Sequence, residues 1–136
     1  MKNMISKILA AGSLIALAGC MEPTATLSPP TNVTQISLSS SDWQRVQKAV
    51  QARLVDPESA RFGPRVAVSA RERGKDVKVV CGYVNARNRM GGYVGDQSYI
   101  AIFEDGGWGA TAPSKFGAEV CRRSYGVEPP NPATRF

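Results

Sequence analysis

The chain has 136 residues, a formal net charge of +6 and no histidine. That length holds one small domain. Without histidine, Ser-His-Asp and Cys-His nucleophilic systems, histidine-ligated zinc and histidine general bases are all excluded.

The N-terminus carries an address. Lys2 and Lys7 precede an apolar stretch from Ile8 to Gly19, which closes as Leu17-Ala18-Gly19-Cys20. This order of charge, apolar segment and small residues marks residues 1–19 as a secretory signal, too short and wrongly flanked for a spanning helix. A cysteine directly after Leu-Ala-Gly resembles the lipobox of bacterial lipoproteins. The resemblance implies that the peptide is cut before Cys20, that Cys20 takes a diacylglyceryl thioether, and that its new amine takes a further acyl chain such as palmitate. Several acyl chains, at about 0.8 kcal/mol per buried methylene, hold a protein stably on a membrane. Met21 follows the cysteine where an aspartate would retain the protein at the inner membrane. By the enterobacterial sorting pattern the expected location is the periplasmic side of the outer membrane.

Losing Lys2 and Lys7 from 17 basic residues leaves 15 against 11 acidic ones, a net charge of +4. This is a mild bias toward anionic partners, such as lipid headgroups, an anionic envelope polymer or an envelope protein. Nucleic acid is not expected, because an exported domain does not meet it and no basic stripe interleaved with aromatics is present. With Cys20 lipidated, Cys81 and Cys121 remain. An even count in an oxidising compartment predicts a disulfide between them, which would stabilise the fold by about 4 kcal/mol. Neither lies in a C-x-x-C pair, which argues against a redox enzyme.

Residues 20–38, rich in Pro, Ser and Thr and without periodicity, read as a tether holding the domain off the membrane. A helix follows. Ser41 and Gln44 have capping-box spacing, and Trp43, Val46, Val50 and Leu54 recur at helical intervals as a core-facing stripe. In "LVDPESARFGP", Asp56 and Pro57 suit the start of a short helical turn, and Gly63-Pro64 its end. Val66, Val68 and Ala70 alternate as a half-buried strand, and Gly74 turns the chain. Val77, Val79, Cys81 and Tyr83 line one face of the next strand and Val80 and Val84 the other, the pattern of a central strand packed on both sides. "SYIAIFED" predicts a third strand, with a short continuation at Trp108. "PSKFGAEVCRRSYG" predicts a C-terminal helix with Phe116, Val120 and Cys121 on one side and Gly126 as its stop. Residues 127–136 read as an extended proline-rich tail. The expected fold is therefore α+β: one domain over residues 39–126, with a small antiparallel sheet of three to four strands, an N-terminal and a C-terminal helix, and one disulfide.

Two phrases stand out. One is L-x-D-P-x-S-A-x-F, here Leu54, Asp56, Pro57, Ser59, Ala60 and Phe62. The other is C-G-x-V-N-x-x-N-x-x-G-G-Y-x-G, here Cys81, Gly82, Val84, Asn85, Asn88, Gly91, Gly92, Tyr93 and Gly95. Together they resemble a group of small exported bacterial and phage-associated proteins and lipoproteins. The resemblance spans most of residues 42–124. It implies a shared domain and brings no activity with it.

Three places are candidates for chemistry or recognition. The "RNRMGGYVG" loop has neither G-x-x-x-x-G-K-S/T nor G-x-G-x-x-G, and a strand follows it, so a phosphate cradle is not expected. Asn85, Asn88, Gly91, Gly92 and Gly95 supply turn or left-handed conformations in a long hairpin, with Tyr93 covering the core edge. In the same loop Arg87, Arg89, Met90 and Tyr93 offer cationic, adaptable and aromatic contact groups, the material of a recognition surface. Two carboxylate pairs, Asp56 with Glu58 and Glu104 with Asp105, are the remaining acid–base candidates, since a glycan hydrolase needs only two carboxyls. No cofactor and no metal are expected. The function expected from the sequence is a non-catalytic, lipid-anchored envelope protein that binds or scaffolds a partner. One form of it is a prophage- or plasmid-type exclusion or secretion-associated lipoprotein. The rival is a peptidoglycan hydrolase acting through Glu104 or Asp105.

Overall fold

The computed structural model describes residues 29–134. The signal segment, the lipobox cysteine Cys20 and the tether up to residue 28 lie outside them. Strand β1 spans Thr31–Ile36, helix α1 Ser40–Gln51, β2 Arg61–Glu72, β3 Lys75–Asn85, β4 Gln97–Glu104, β5 Gly107–Ala110 and helix α2 Gly117–Tyr125. The strands form one five-stranded antiparallel sheet in the order β1-β2-β3-β4-β5. The α+β class and the single disulfide agree with the sequence reading, but the strand count is five. The added strand is β1, inside the segment read as tether. Five of its six residues are exposed, so it carries no apolar alternation for a sequence reading to detect.

The sheet lies between the two helices, because β2, β3 and β4 are apolar on both faces. Val68, Ala70, Val77, Val79, Cys81 and Ile100 pack with Cys121 and Tyr125 of α2. Ala67, Val80, Val84, Tyr99 and Ala101 pack with Val46 and Val50 of α1. Period-two alternation sends neighbouring residues to opposite cores. Two tight turns set the hairpin registers. Arg73 and Gly74 join β2 to β3 with φ of 48° and 80°, and Asp105 and Gly106 join β4 to β5 with φ of 51° and 85°. Paired positive φ values match the right-handed strand twist.

Several local expectations need correction. Helix α1 is capped by Ser39, whose extended backbone (φ −66°, ψ 156°) lets its hydroxyl accept the Asp42 N–H at 3.1 Å. Ser41 therefore sits two residues too far in to act as the cap. Gly63 and Pro64 do not end an element; they lie within β2, at a register shift between Phe62 and Arg65. In α2 the buried stripe is Gly117, Cys121 and Tyr125, while Phe116 and Val120 are 73% and 45% exposed. The phase is set where α2 meets β4: a Cβ on Gly117 would stand 2.7 Å from the Ser98 carbonyl oxygen, so only glycine permits the approach. The Cys81–Cys121 disulfide then ties α2 to β3 with its Cα atoms 6.3 Å apart. The tail is not simply extended. Pro129 is fully buried, Val127 packs on the core, and Pro132–Thr134 form a 3₁₀ turn.

Candidate functional site

The β3–β4 connection, residues 86–96, is the most elaborated loop in the molecule. Its conformation comes from side chains that replace ladder bonds. The Asn88 carboxamide oxygen accepts the N–H groups of Met90 at 2.9 Å and Gly92 at 3.1 Å, and Asn88 N–H donates to the Gly92 carbonyl at 2.8 Å. The Asn85 side chain accepts from Gly95 N–H at 3.1 Å. Positive φ falls on Gly91 (82°) and Gly95 (88°); neither asparagine nor Gly92 has it. The asparagines thus act through side-chain acceptance and not through left-handed backbone.

A second segment clamps the loop from outside. Pro57–Ser59 form a 3₁₀ turn, with Pro57 in its first turn as expected; the Asp56 side chain makes no capping bond. Ser59, which is 9% exposed, donates its hydroxyl to the Asp56 carbonyl at 2.7 Å and accepts Arg87 N–H at 2.8 Å. Its own carbonyl accepts the Tyr93 hydroxyl at 3.2 Å. Ser59 therefore joins the two sequence phrases in space. Its identity was visible in the first phrase, but its partner lies 28 residues on and no local pattern announces it.

Tyr93 is 36% exposed and does not close a core edge. Two guanidinium groups lie against its ring, Arg61 at 4.3 Å and Arg87 at 5.3 Å from the centroid. Among the described residues no carboxylate pairs with Arg61, Arg87 or Arg89. Met90, at the apex, is 93% exposed. The loop therefore presents cations, an aromatic ring and a thioether on a backbone that is already held.

Glu104 and Asp105 lie at the β4–β5 turn, with side chains 56% and 73% exposed. Lys75 Nζ reaches Asp105 at 2.9 Å and Glu104 at 3.9 Å, tying this turn to the β2–β3 turn. The hydrogen bond from Lys75 to Asp105 raises the lysine pKa. The pair thus has a structural use between two hairpins. Of the other pair, Asp56 offers its backbone carbonyl to Ser59, and Glu58 is exposed in the first turn of the 3₁₀ segment. Among the described residues no cluster of three or more Asp, Glu or Cys could hold a metal ion, and no helix is long and apolar enough to cross a membrane.

Two further clusters were not singled out by the sequence. Asp42 accepts Lys78 Nζ at 3.0 Å and Trp108 Nε1 at 3.4 Å, and the lysine hydrogen bond holds its carboxyl below the usual range. Arg65 covers Trp43 at 3.7 Å, Trp43 meets Phe62 edge-on at 5.4 Å, and Phe62 meets Tyr99 at 6.1 Å. Tyr99 is fully buried, its hydroxyl has no partner among the described residues, and burial pushes its pKa far up.

Comparison of the chain with protein-family models, with curated proteins and with solved structures finds no match.

Proposed function

We propose that this is a lipid-anchored, non-catalytic module facing the periplasm, on the outer membrane, that holds an envelope partner through the loop of residues 86–96. The observation that carries the reading is the loop's preorganisation. Ser59, Asn85 and Asn88 accept four of its backbone N–H groups, while Arg89 and Met90 stand in solvent and Arg61 and Arg87 lie against Tyr93 without a counter-charge among the described residues. A loop whose backbone is already held avoids the cost of ordering that backbone on binding, leaving about 0.5–1.5 kcal/mol for each side chain immobilised. Arginine, tyrosine and methionine are also the residues enriched at interface centres. The partner is an anionic envelope polymer or an envelope protein with an acidic patch.

A photo-crosslinking residue in place of Met90, activated in intact cells, tests the loop. Adducts that disappear with Arg87→Ala and Arg89→Ala support the reading; absence of any adduct from this position sinks it. The anchor is tested separately by mass spectrometry of membrane-extracted protein. Cys20 unmodified in a soluble fraction would remove that part. Incubation with purified peptidoglycan tests the non-catalytic part, which release of muropeptides abolished by Glu104→Gln would overturn.

A further inference from the structure

Among the described residues the last strand of the sheet, β5, pairs with β4 alone. Thr111 N–H donates to the Ile100 carbonyl at 2.9 Å, so by antiparallel alternation Gly109 and Gly107 also turn their backbone groups to β4. Trp108 and Ala110 then direct their N–H and C=O groups away from the sheet. Trp108 and Ala110 place their side chains on the α1 core, which leaves Gly107 and Gly109 on the other face, beside Ile100 and Ile102.

Those two glycines lack a folding reason. Neither has positive φ, and a Cβ at either would meet nothing within 4 Å. Glycine weakens a strand, and where neither conformation nor packing demands it, the remaining cause is close approach by another chain or ligand. Their bareness opens a groove of about 540 Å³ along Gly107–Ala112, floored by Ile100 and Ile102.

The free edges of this sheet are treated differently. Strand β1 carries a bulge between Thr31 and Thr34, with Asn32 at φ 54°. The part of β2 that β1 leaves uncovered, before Ala67, holds Gly63-Pro64 at its register shift. A bulge and a proline both block strand addition. Within Gly107–Ala110 strand β5 has neither, and it keeps one register with β4; the register shifts by one residue only beyond Thr111, before the Ser98–Ser114 bridge, where Pro113 lies.

Charge chooses the occupant. On the α1 side of this edge stand Arg45 and Lys48 beside Gly107 and Trp108, with Arg53 at the Ala110–Ala112 end. All three are exposed, and none joins an ion pair among the described residues. The carboxylate lining the groove, Glu104, faces Lys75. We propose that β5 accepts an extended segment of a partner protein as a sixth strand, with acidic and apolar side chains in alternation. Its apolar side chains drop over Gly107 and Gly109 onto the isoleucines, and its acidic ones meet the α1 cations. A second copy of this chain fits poorly, since pairing β5 with itself would set Arg45 and Lys48 against their own equivalents.

The test uses the full chain and a capped octapeptide alternating Glu and Val, with an alternating Lys–Val peptide as its opposite. Calorimetry should show binding of the Glu–Val peptide only, with slowed amide exchange at Trp108 and Ala110. Gly109→Val should abolish binding while the thermal midpoint holds or rises, since a β-branched residue suits an open strand position; Gly109→Ala serves the same purpose if the valine variant misfolds. Arg45→Glu with Arg53→Glu should weaken binding by about tenfold or more. No binding of the Glu–Val peptide, equal binding of the Lys–Val peptide, or binding untouched by Gly109→Val would overturn the proposal. So would a dimer in sedimentation that Gly109→Val dissolves. Crosslinking at Met90 is unaffected by any of these variants, so failure here leaves the loop reading standing.

Discussion

Ser59 accepts the Arg87 backbone N–H on its hydroxyl at 2.8 Å and the Tyr93 hydroxyl on its carbonyl at 3.2 Å. One small residue on a 3₁₀ turn thereby holds both strands of a loop that belongs to the other side of a hairpin. Removing the hydroxyl in Ser59→Ala leaves a part-buried N–H without its acceptor, which costs about 1–2 kcal/mol. Arg87→Ala keeps that N–H bond and loses only an exposed cation–π contact, which costs under about 1 kcal/mol. Urea midpoints of the two variants, with the exchange rate of the residue-87 amide, check the order; a larger loss for Arg87→Ala would contradict it.

The loop's glycines separate in the same way. Gly91 has φ 82° and open space where a Cβ would go, so Gly91→Ala suffers conformational strain alone, about 1–2 kcal/mol. At Gly92 the φ is ordinary and a Cβ would make a normal 3.8 Å contact with Asn88 Oδ1. Gly92→Ala should change stability by less than about 0.5 kcal/mol. Thermal melts of the two alanine variants give the comparison.

Tyr99 has a core position and a hydroxyl with no partner among the described residues. Tyr99→Phe should raise stability at neutral pH by about 1 kcal/mol, because a buried group without a partner carries its full desolvation cost. The same burial keeps the hydroxyl protonated in the folded state above the pH at which the unfolded chain ionises. Stability is therefore present below about pH 10 and lost as pH rises beyond it, and the phenylalanine variant should lose less. Tyr83 and Tyr125 are raised too, so part of the alkaline loss remains. Gly82→Ala should be severely destabilising for a related reason: its Cβ would lie 2.6 Å from the Tyr99 hydroxyl.

At the acid end Asp42 is the group to watch. Its hydrogen bond from Lys78 lowers the folded-state pKa, so its contribution is present above the unfolded value and lost as pH falls below about 4. Asp42→Asn should give a shallower loss of stability on acidification in a chemical-denaturation series. Some slope persists through Glu119, which Arg122 and Arg123 also hold low. An unchanged slope would show that the Asp42–Lys78 pair does not persist in solution.

Much of the framework could be read from local spacing. The stripe Val46–Val50, the two apolar faces of β3 and the pairing of Cys81 with Cys121 all follow from periods and counts, and the structure has each of them. Edges and phases could not be read that way. Strand β1 is polar because an edge strand exposes most of its length, and α2 turns Phe116 outward because Ser98 decides how closely Gly117 approaches. The loop's residues lie together in the sequence, yet Arg61 joins them only through Tyr93, which stands beside it in space and 32 positions away in the chain.

The sequence by itself determined which residues share a face, where the chain turns at Gly74, and that Cys81 and Cys121 would be bonded. Those properties depend on neighbours a few positions apart. Only the tertiary structure decided that Ser59 clamps the loop, that two guanidiniums meet at Tyr93, and that Gly107 and Gly109 bare one edge of the sheet. Each of these depends on sheet register and strand order, which bring together atoms whose separation along the chain carries no periodic signal.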